Sequence, residues 1–104
     1  MLRSAVRYPS EVLRSFRDTD TERVWQRRHV ARLHPDIQRI AQRKLRMLDA
    51  AVTLDDLRIP PRNRLEKLHA DRAGQYSIRI NSQWRICFRW VDGDVEDAEI
   101  TDYH

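Results

Sequence analysis

From Gln75 to Trp90 the chain alternates between two kinds of side chain, and that period of two decides what this half of the molecule can become. Tyr76, Ile78 and Ile80 are interleaved with Gln75, Ser77, Arg79 and Asn81, and Trp84, Ile86, Phe88 and Trp90 with Arg85, Cys87, Arg89 and Val91. A strand points successive side chains to opposite faces, so the pattern predicts two half-buried strands. Asn81-Ser82-Gln83 connects them. Asp92-Gly93 is a tight-turn dipeptide that leads into a third strand over Val95–Asp102. An antiparallel meander follows, with Leu65–His69 as a further short strand ahead of the loop Asp71-Arg72-Ala73-Gly74.

Upstream the period changes. Thr19 or Asp20 is placed to cap a helix through Glu22, Val24, Trp25 and Arg28, with acids in its first turn and cations in its last, as the helix dipole favours. His34-Pro35-Asp36 opens the clearest helix. Proline suits the first helical position, and Ile37, Ile40, Ala41, Leu45, Leu48 and Val52 form one apolar side. Arg39, Arg43, Lys44 and Arg46 lie on the other, which reads as a solvated face, with a nucleic-acid or ribosome contact as the alternative. Thr53–Leu57 suits a single helical turn. Ile59-Pro60-Pro61-Arg62-Asn63 reads as a loop, because consecutive prolines interrupt regular structure. A loose alternation over Glu11–Phe16 suits a short strand. The expected fold is α+β, with two N-terminal helices packed on one face of a small, mainly antiparallel sheet. Residues 1–11 read as an extension and 12–104 as one domain. Trp25, Trp84 and Trp90 are expected in the core.

The 104 residues suit a single core. No apolar run approaches the ~20 residues needed to cross a bilayer, and the N-terminal stretch lacks the apolar centre of a secretory signal, so a cytoplasmic protein is expected. Charge is segregated. All 20 Lys and Arg lie in residues 1–91, whereas residues 92–104 carry six acids and no Lys or Arg. Eighteen of the 20 cations are arginine, whose planar fork matches phosphate, which favours a nucleic-acid partner over a surface that is merely charged. Genomic base composition is the competing source of such a bias. Cys87, the one cysteine, lies between Ile86 and Phe88 and reads as a buried, inert thiol.

If the apolar strand residues face the helices, Arg79, Arg85 and Arg89 share the opposite, open face. Asp97 or Glu99 from the last strand is placed to pair with Arg89 or Arg85. Arg89, near the turn, is the expected structural partner, leaving Arg85 for a ligand. The sequence closes on Asp102-Tyr103-His104, where a carboxylate to orient, an imidazole to move protons and nearby arginines would suit phosphate chemistry, unless the end merely frays. His69 lies between Lys67 and Arg72 in a positive setting, either as a surface histidine or as part of the site. His29 and His34 read as surface residues, no metal-ligand spacing is present, and no cofactor is expected.

The runs Asn63-Arg64-Leu65-Glu66, Asp71–Asn81 and Gln83–Trp90, with the terminal Asp102-Tyr103-His104, resemble HigB-type toxins, also called plasmid maintenance killer proteins, of the RelE/ParE superfamily. The likeness spans about Val12 to His104. It implies a RelE-like fold and a ribosome-dependent mRNA endonuclease that cuts in the A site by metal-independent 2′-hydroxyl attack. It further implies a helix-turn-helix antitoxin, HigA, that binds the toxin and meets operator DNA. By position, Arg85 would stabilise the phosphorane, and His69, Asp102, Tyr103 and His104 would supply acid–base groups. Lys67, Arg72 and Arg79 would contact RNA. His69 stands where relatives often carry lysine, and Glu66 where some carry histidine. A ParE-like gyrase poison and a non-catalytic module that binds ribosome or antitoxin are the alternatives on the same fold.

Overall fold

The alternation from Gln75 onward becomes sheet. A computed structural model describes residues 11–102, and within them four antiparallel strands run in the order β1 (Glu66–Lys67), β2 (Gln75–Arg79), β3 (Trp84–Val91) and β4 (Asp94–Asp102). Asp92 and Gly93, with φ of 51° and 85°, make the β3–β4 turn, and two left-handed residues match the twist of a hairpin. Two helices, α1 (Thr19–Trp25) and α2 (Pro35–Ala50), cover one face. The core between them joins Val24, Leu33, Ala41, Leu45 and Leu48 to Ile78, Ile86, Phe88, Val95, Ala98 and Ile100. Trp25, Trp84 and Trp90 are half-buried at its margin.

β4 departs from simple alternation for a reason visible in its sequence. Its apolar residues are Val95, Ala98 and Ile100, so Val95 and Ala98, three apart, would fall on opposite faces of a regular strand. Between Cys87 and Arg89 of β3 there is one residue, Phe88, whereas between their partners Glu99 and Glu96 of β4 there are two, Ala98 and Asp97, and Asp97 takes a left-handed φ of 55°. This bulge returns all three apolar residues to the core, where each is buried.

The helix ends are set by short-range hydrogen bonds. Asp18, rather than Thr19 or Asp20, caps α1, accepting from the Thr21 N–H at 3.3 Å. The helix stops at Trp25, short of Arg28, because Arg27 is left-handed (φ 63°). Its N–H and that of Arg28 turn back to the carbonyls of Val24 (3.0 Å) and Arg23 (2.8 Å), a Schellman closure. His34 caps α2 through Nδ1, which accepts from the Asp36 N–H, and Pro35 takes the first helical position. The helix ends at Ala50, so Val52 is 81% exposed instead of lying on its apolar side.

Beyond Ala50 come single 3₁₀ turns at Leu54–Arg58 and Pro61–Asn63. The second occupies the segment expected as loop. Pro61 starts the turn, where its missing N–H leaves no bond unmade. Asn63 organises the stretch: fully buried, its Nδ2 donates to the carbonyls of Leu57 (3.1 Å) and Ile59 (3.4 Å), while Oδ1 accepts from Lys44 Nζ of α2 at 2.5 Å. Lys44 is therefore partly buried, not on a freely solvated face. Burial, then the charges of Arg43, Arg62 and Arg79, hold its ammonium below the usual lysine range.

The segment expected as a first strand does pair. It runs parallel to the outer edge of β4, through bridges at Leu13–Val95 and Phe16–Ala98. One carboxylate oxygen of Asp49, at the end of α2, accepts from the N–H groups of Glu11, Val12 and Leu13 at 2.8–2.9 Å and fixes where this segment enters.

Two outcomes follow. Asp49→Ala leaves three donors without their acceptor and is expected to lower the unfolding free energy by about 1–3 kcal/mol in urea titrations, with an unchanged m value. Lys44 loses its proton in the folded protein at a lower pH than in the unfolded chain, so its contribution makes stability rise with pH as the ordinary value of 10.5 is approached from below. Lys44→Gln keeps a donor for Asn63 and removes that titration. In paired thermal melts over the alkaline range, the wild type should gain stability on the variant as pH rises.

Candidate active site

The face of the sheet turned away from the helices carries the polar members of the alternation, and Arg85 is its centre. Arg85 pairs with Arg79 of β2 on one side and Thr101 of β4 on the other. It is 7% exposed, so the expected open-face arginine is in fact buried. Its Nε donates to Ser77 Oγ at 2.8 Å, and Nη2 to the carbonyl of Arg64 at 2.7 Å and of Ser77 at 3.4 Å. Arg64 presents that carbonyl from a left-handed conformation (φ 45°) at the end of the Pro61–Asn63 turn. Glu66 Oε1 lies 3.7 Å from Nη2. The expectation that Arg85 lacks a protein partner is thus corrected: a charge taken out of water must be met by acceptors, and β1, with the turn before it, brings them.

Glu66 lies opposite Ser77 across β1–β2, which places its half-exposed carboxylate on the face of Arg85. Strand alternation puts Lys67, opposite Tyr76, on the other face, away from the guanidinium. Leu68 is buried beyond it, outside the helix-side core, as is Cys87. The Cys87 thiol is raised above its usual range, chiefly by burial. His69 is exposed at the start of the single turn Ala70–Arg72, with its carbonyl accepting the Arg72 N–H at 3.0 Å.

That turn sends Arg72 back over the sheet. Its Nη1 donates to Gln75 Oε1 (3.0 Å) and Glu99 Oε1 (3.2 Å), and Arg17 also approaches Glu99, at 4.0 Å. Arg89 pairs with Asp97 (3.5 Å) and Glu96 (3.8 Å), which bears out its structural assignment. Asp102 ends β4 opposite Trp84, with Gln83 Nε2 donating to its Oδ2 at 3.1 Å. Tyr103 and His104 lie outside the described residues.

Of the residues singled out from sequence, the structure collects Arg72, Arg79 and Arg85 on one face and sets His69 at the corner that leads into Arg72. Asp102 and Lys67 belong, by alternation, to the opposite side of their strands. Glu66, Ser77 and the carbonyl of Arg64 are additions. Ser77 was legible as a polar position of that face, but contact with Glu66 and Arg64 depends on the register of a two-residue strand, for which the sequence carries no periodic signal. Chemically, the site presents a buried guanidinium with at least two fixed hydrogen bonds, beside the Glu66 carboxylate and across the ladder from Arg79. Such a cation is positioned for negative charge before any ligand arrives.

Residues 14–104 match the family model described as the RelE-like toxin of type II toxin–antitoxin system HigB. Toxin HigB-1 of Vibrio cholerae is 46% identical over 79 residues, covering 75% of this chain and 83% of that protein. Endoribonuclease HigB of Proteus vulgaris is 35% identical over 72 residues, 66% of this chain and 73% of the relative. In fold, the chain resembles a solved YoeB–YefM complex from Staphylococcus aureus with a TM-score of 0.58, at 18% identity and over 88% of this chain and 97% of that one. The matched span takes in both helices, all four strands and the face around Arg85, and the chain belongs to the HigB-like family of RelE-type toxins of type II toxin–antitoxin systems.

Proposed function

We propose that this toxin is an endoribonuclease that cuts mRNA in the ribosomal A site. The observation that carries the reading is the guanidinium of Arg85, fixed by Ser77 and Arg64 on a face that also holds Arg72 and Arg79. The endoribonuclease name of the Proteus vulgaris relative supports it.

In the reaction a base takes the proton of a ribose 2′-hydroxyl, and the oxygen attacks the adjacent phosphorus. The bond from phosphorus to the 5′-oxygen breaks, that oxygen receives a proton from an acid, and a 2′,3′-cyclic phosphate remains. The charge that builds on the non-bridging oxygens falls to Arg85, whose hydrogen bonds hold it in place through the step. His69, the exposed imidazole at the corner of this face, makes up the proposed proton-transfer set with Tyr103 and His104; Asp102, given its side of the strand, is retained in that set only as the carboxylate next to them in the chain. Arg72 and Arg79 are assigned to RNA. Lys67 is retained as a contact only at the outer edge of β1, given its side of the strand. The partners in this reading are the ribosome with bound mRNA and a HigA-type helix-turn-helix antitoxin, through which alone operator DNA is met. The compartment is the cytoplasm, where translation runs.

Incubation with translating ribosomes, followed by mapping of mRNA 3′ ends, tests the reading: cuts in register with codons are expected. Absence of cuts together with inhibited DNA supercoiling would replace it by gyrase poisoning. Arg85→Lys keeps the charge but loses the fork that serves Ser77 and Arg64 together, and should lower the single-turnover cleavage rate by about 100-fold or more. His69→Ala should also slow cleavage markedly, yet leave the unfolding free energy within about 0.5 kcal/mol, because the side chain is exposed.

A further inference from the structure

Arg85 carries the charge that the cleavage reading needs, yet it is buried. A phosphate reaches so enclosed a guanidinium when a neighbour gives way. Two of its partners are fixed: Ser77 is fully buried, and the carbonyl of Arg64 belongs to the backbone of a left-handed residue. Glu66 differs from both. Its side chain is 50% exposed, it stands in a strand of two residues that are both exposed, and its Oε1 lies 3.7 Å from Nη2, too far for a hydrogen bond. The protons of Nη2 go instead to the carbonyls of Arg64 at 2.7 Å and Ser77 at 3.4 Å. Charge therefore holds the Glu66 carboxylate where it is, and among the described residues it has no second hydrogen bond or ion pair.

We infer that Glu66 is a displaceable counter-ion of Arg85: the phosphodiester to be cut takes the place of its carboxylate, and Glu66 thereby sets how tightly the site holds phosphate. The exchange is balanced in charge. A guanidinium out of water needs an anion beside it, and a carboxylate and a phosphodiester each carry one negative charge, so Arg85 is compensated in the empty state and in the loaded one. With Glu66 left in place, two anions would crowd one cation and their repulsion would oppose binding. Swinging out costs the carboxylate little, because half of it is already in water. Ser77 and the carbonyl of Arg64 hold the fork in position meanwhile. The arrangement is selective. A lone phosphate or a freely diffusing strand must compete with a carboxylate tethered at the site, whereas a diester presented in place at high effective concentration outcompetes it. This deepens the endoribonuclease reading, from which it takes the identity of the ligand.

The test uses the full-length, isotope-labelled protein and a ribodinucleotide with a methylated 2′-hydroxyl, which offers one phosphodiester that cannot be cut. Binding is followed by NMR at the amides of Ser77 and Arg85. Glu66→Gln keeps the size of the side chain, removes its charge, and should tighten binding by roughly fivefold, the upper end for an ion pair in contact with water. Glu96→Gln removes a carboxylate that faces Arg89 instead, and as the control for net charge it should leave the affinity nearly unchanged. In the wild type, the side-chain carboxyl carbon of Glu66 should shift as the dinucleotide saturates the site. This measurement decides the matter if Glu66→Gln melts early. With translating ribosomes, Glu66→Gln should lower KM by a factor similar to its gain in affinity. Unchanged or weaker dinucleotide binding in a normally folded Glu66→Gln would overturn the exchange while leaving the cleavage reading intact. So would equal tightening in Glu96→Gln, or a Glu66 resonance that ignores the ligand. A fall in kcat of about 100-fold or more at unchanged affinity would make Glu66 a proton-transfer group and likewise overturn it. If the dinucleotide binds as expected but mRNA stays uncut on ribosomes, the cleavage reading falls and the exchange stands.

Discussion

Burial of a guanidinium on the sheet face away from the helices is the constraint from which much of the architecture follows. An arginine removed from water is tolerated only when acceptors surround it, and the acceptors of Arg85 come from two places that are distant in sequence from it. Ser77 comes with the neighbouring strand. The carbonyl of Arg64 and the carboxylate of Glu66 come with β1, which has only two residues and little pairing energy of its own. The charge and the short strand therefore hold one another in place. The same segment delivers His69 and Arg72 to the edge of that face, so the groups proposed there for proton transfer and RNA contact follow the stretch of chain that satisfies one cation.

The helix-side core imposes a second condition through β4. Asp97 takes the left-handed region, which aspartate tolerates better than most residues with a side chain, and without that bulge Val95 and Ala98 would lie on opposite faces. Its backbone N–H is received by Ser15 Oγ at 2.9 Å, and its carboxylate lies beside Arg89. The bulge thus ties together the core, the N-terminal segment and the acidic strand. What looks like an excess of acids in residues 92–104 is in good part the complement of Arg14, Arg72 and Arg89 on the adjoining chain.

Much of this was legible in the sequence wherever a period was. Alternation over Gln75–Trp90 gave two strands, Asp92-Gly93 their turn to a third, and the His34-Pro35 start gave α2. What escaped was long-range or idiosyncratic. A left-handed arginine at position 27 has no compositional signature, so α1 read too long. Burial of Arg85 depends on a loop crossing the sheet, whereas alternation alone could say only which face it shares. The spacing of Val95, Ala98 and Ile100 did contain the bulge, as a break from two to three in the period. Lys44 read as solvated because its partner, Asn63, sits nineteen residues away in a turn that the two prolines had marked as irregular.

The N-terminal segment has a consequence for how other chains can approach. A strand at the border of a sheet normally offers a row of unused backbone donors and acceptors to any extended peptide. Here Val12, Arg14, Ser15 and Arg17 use those of Val95 and Ala98, while Thr21 and Arg32 take the N–H and carbonyl of Ile100. One border of the sheet is thereby closed by the chain itself. A partner that lengthens the sheet with a strand of its own is directed to the opposite border, beside β1, whose two exposed residues include Glu66, the neighbour of Arg85.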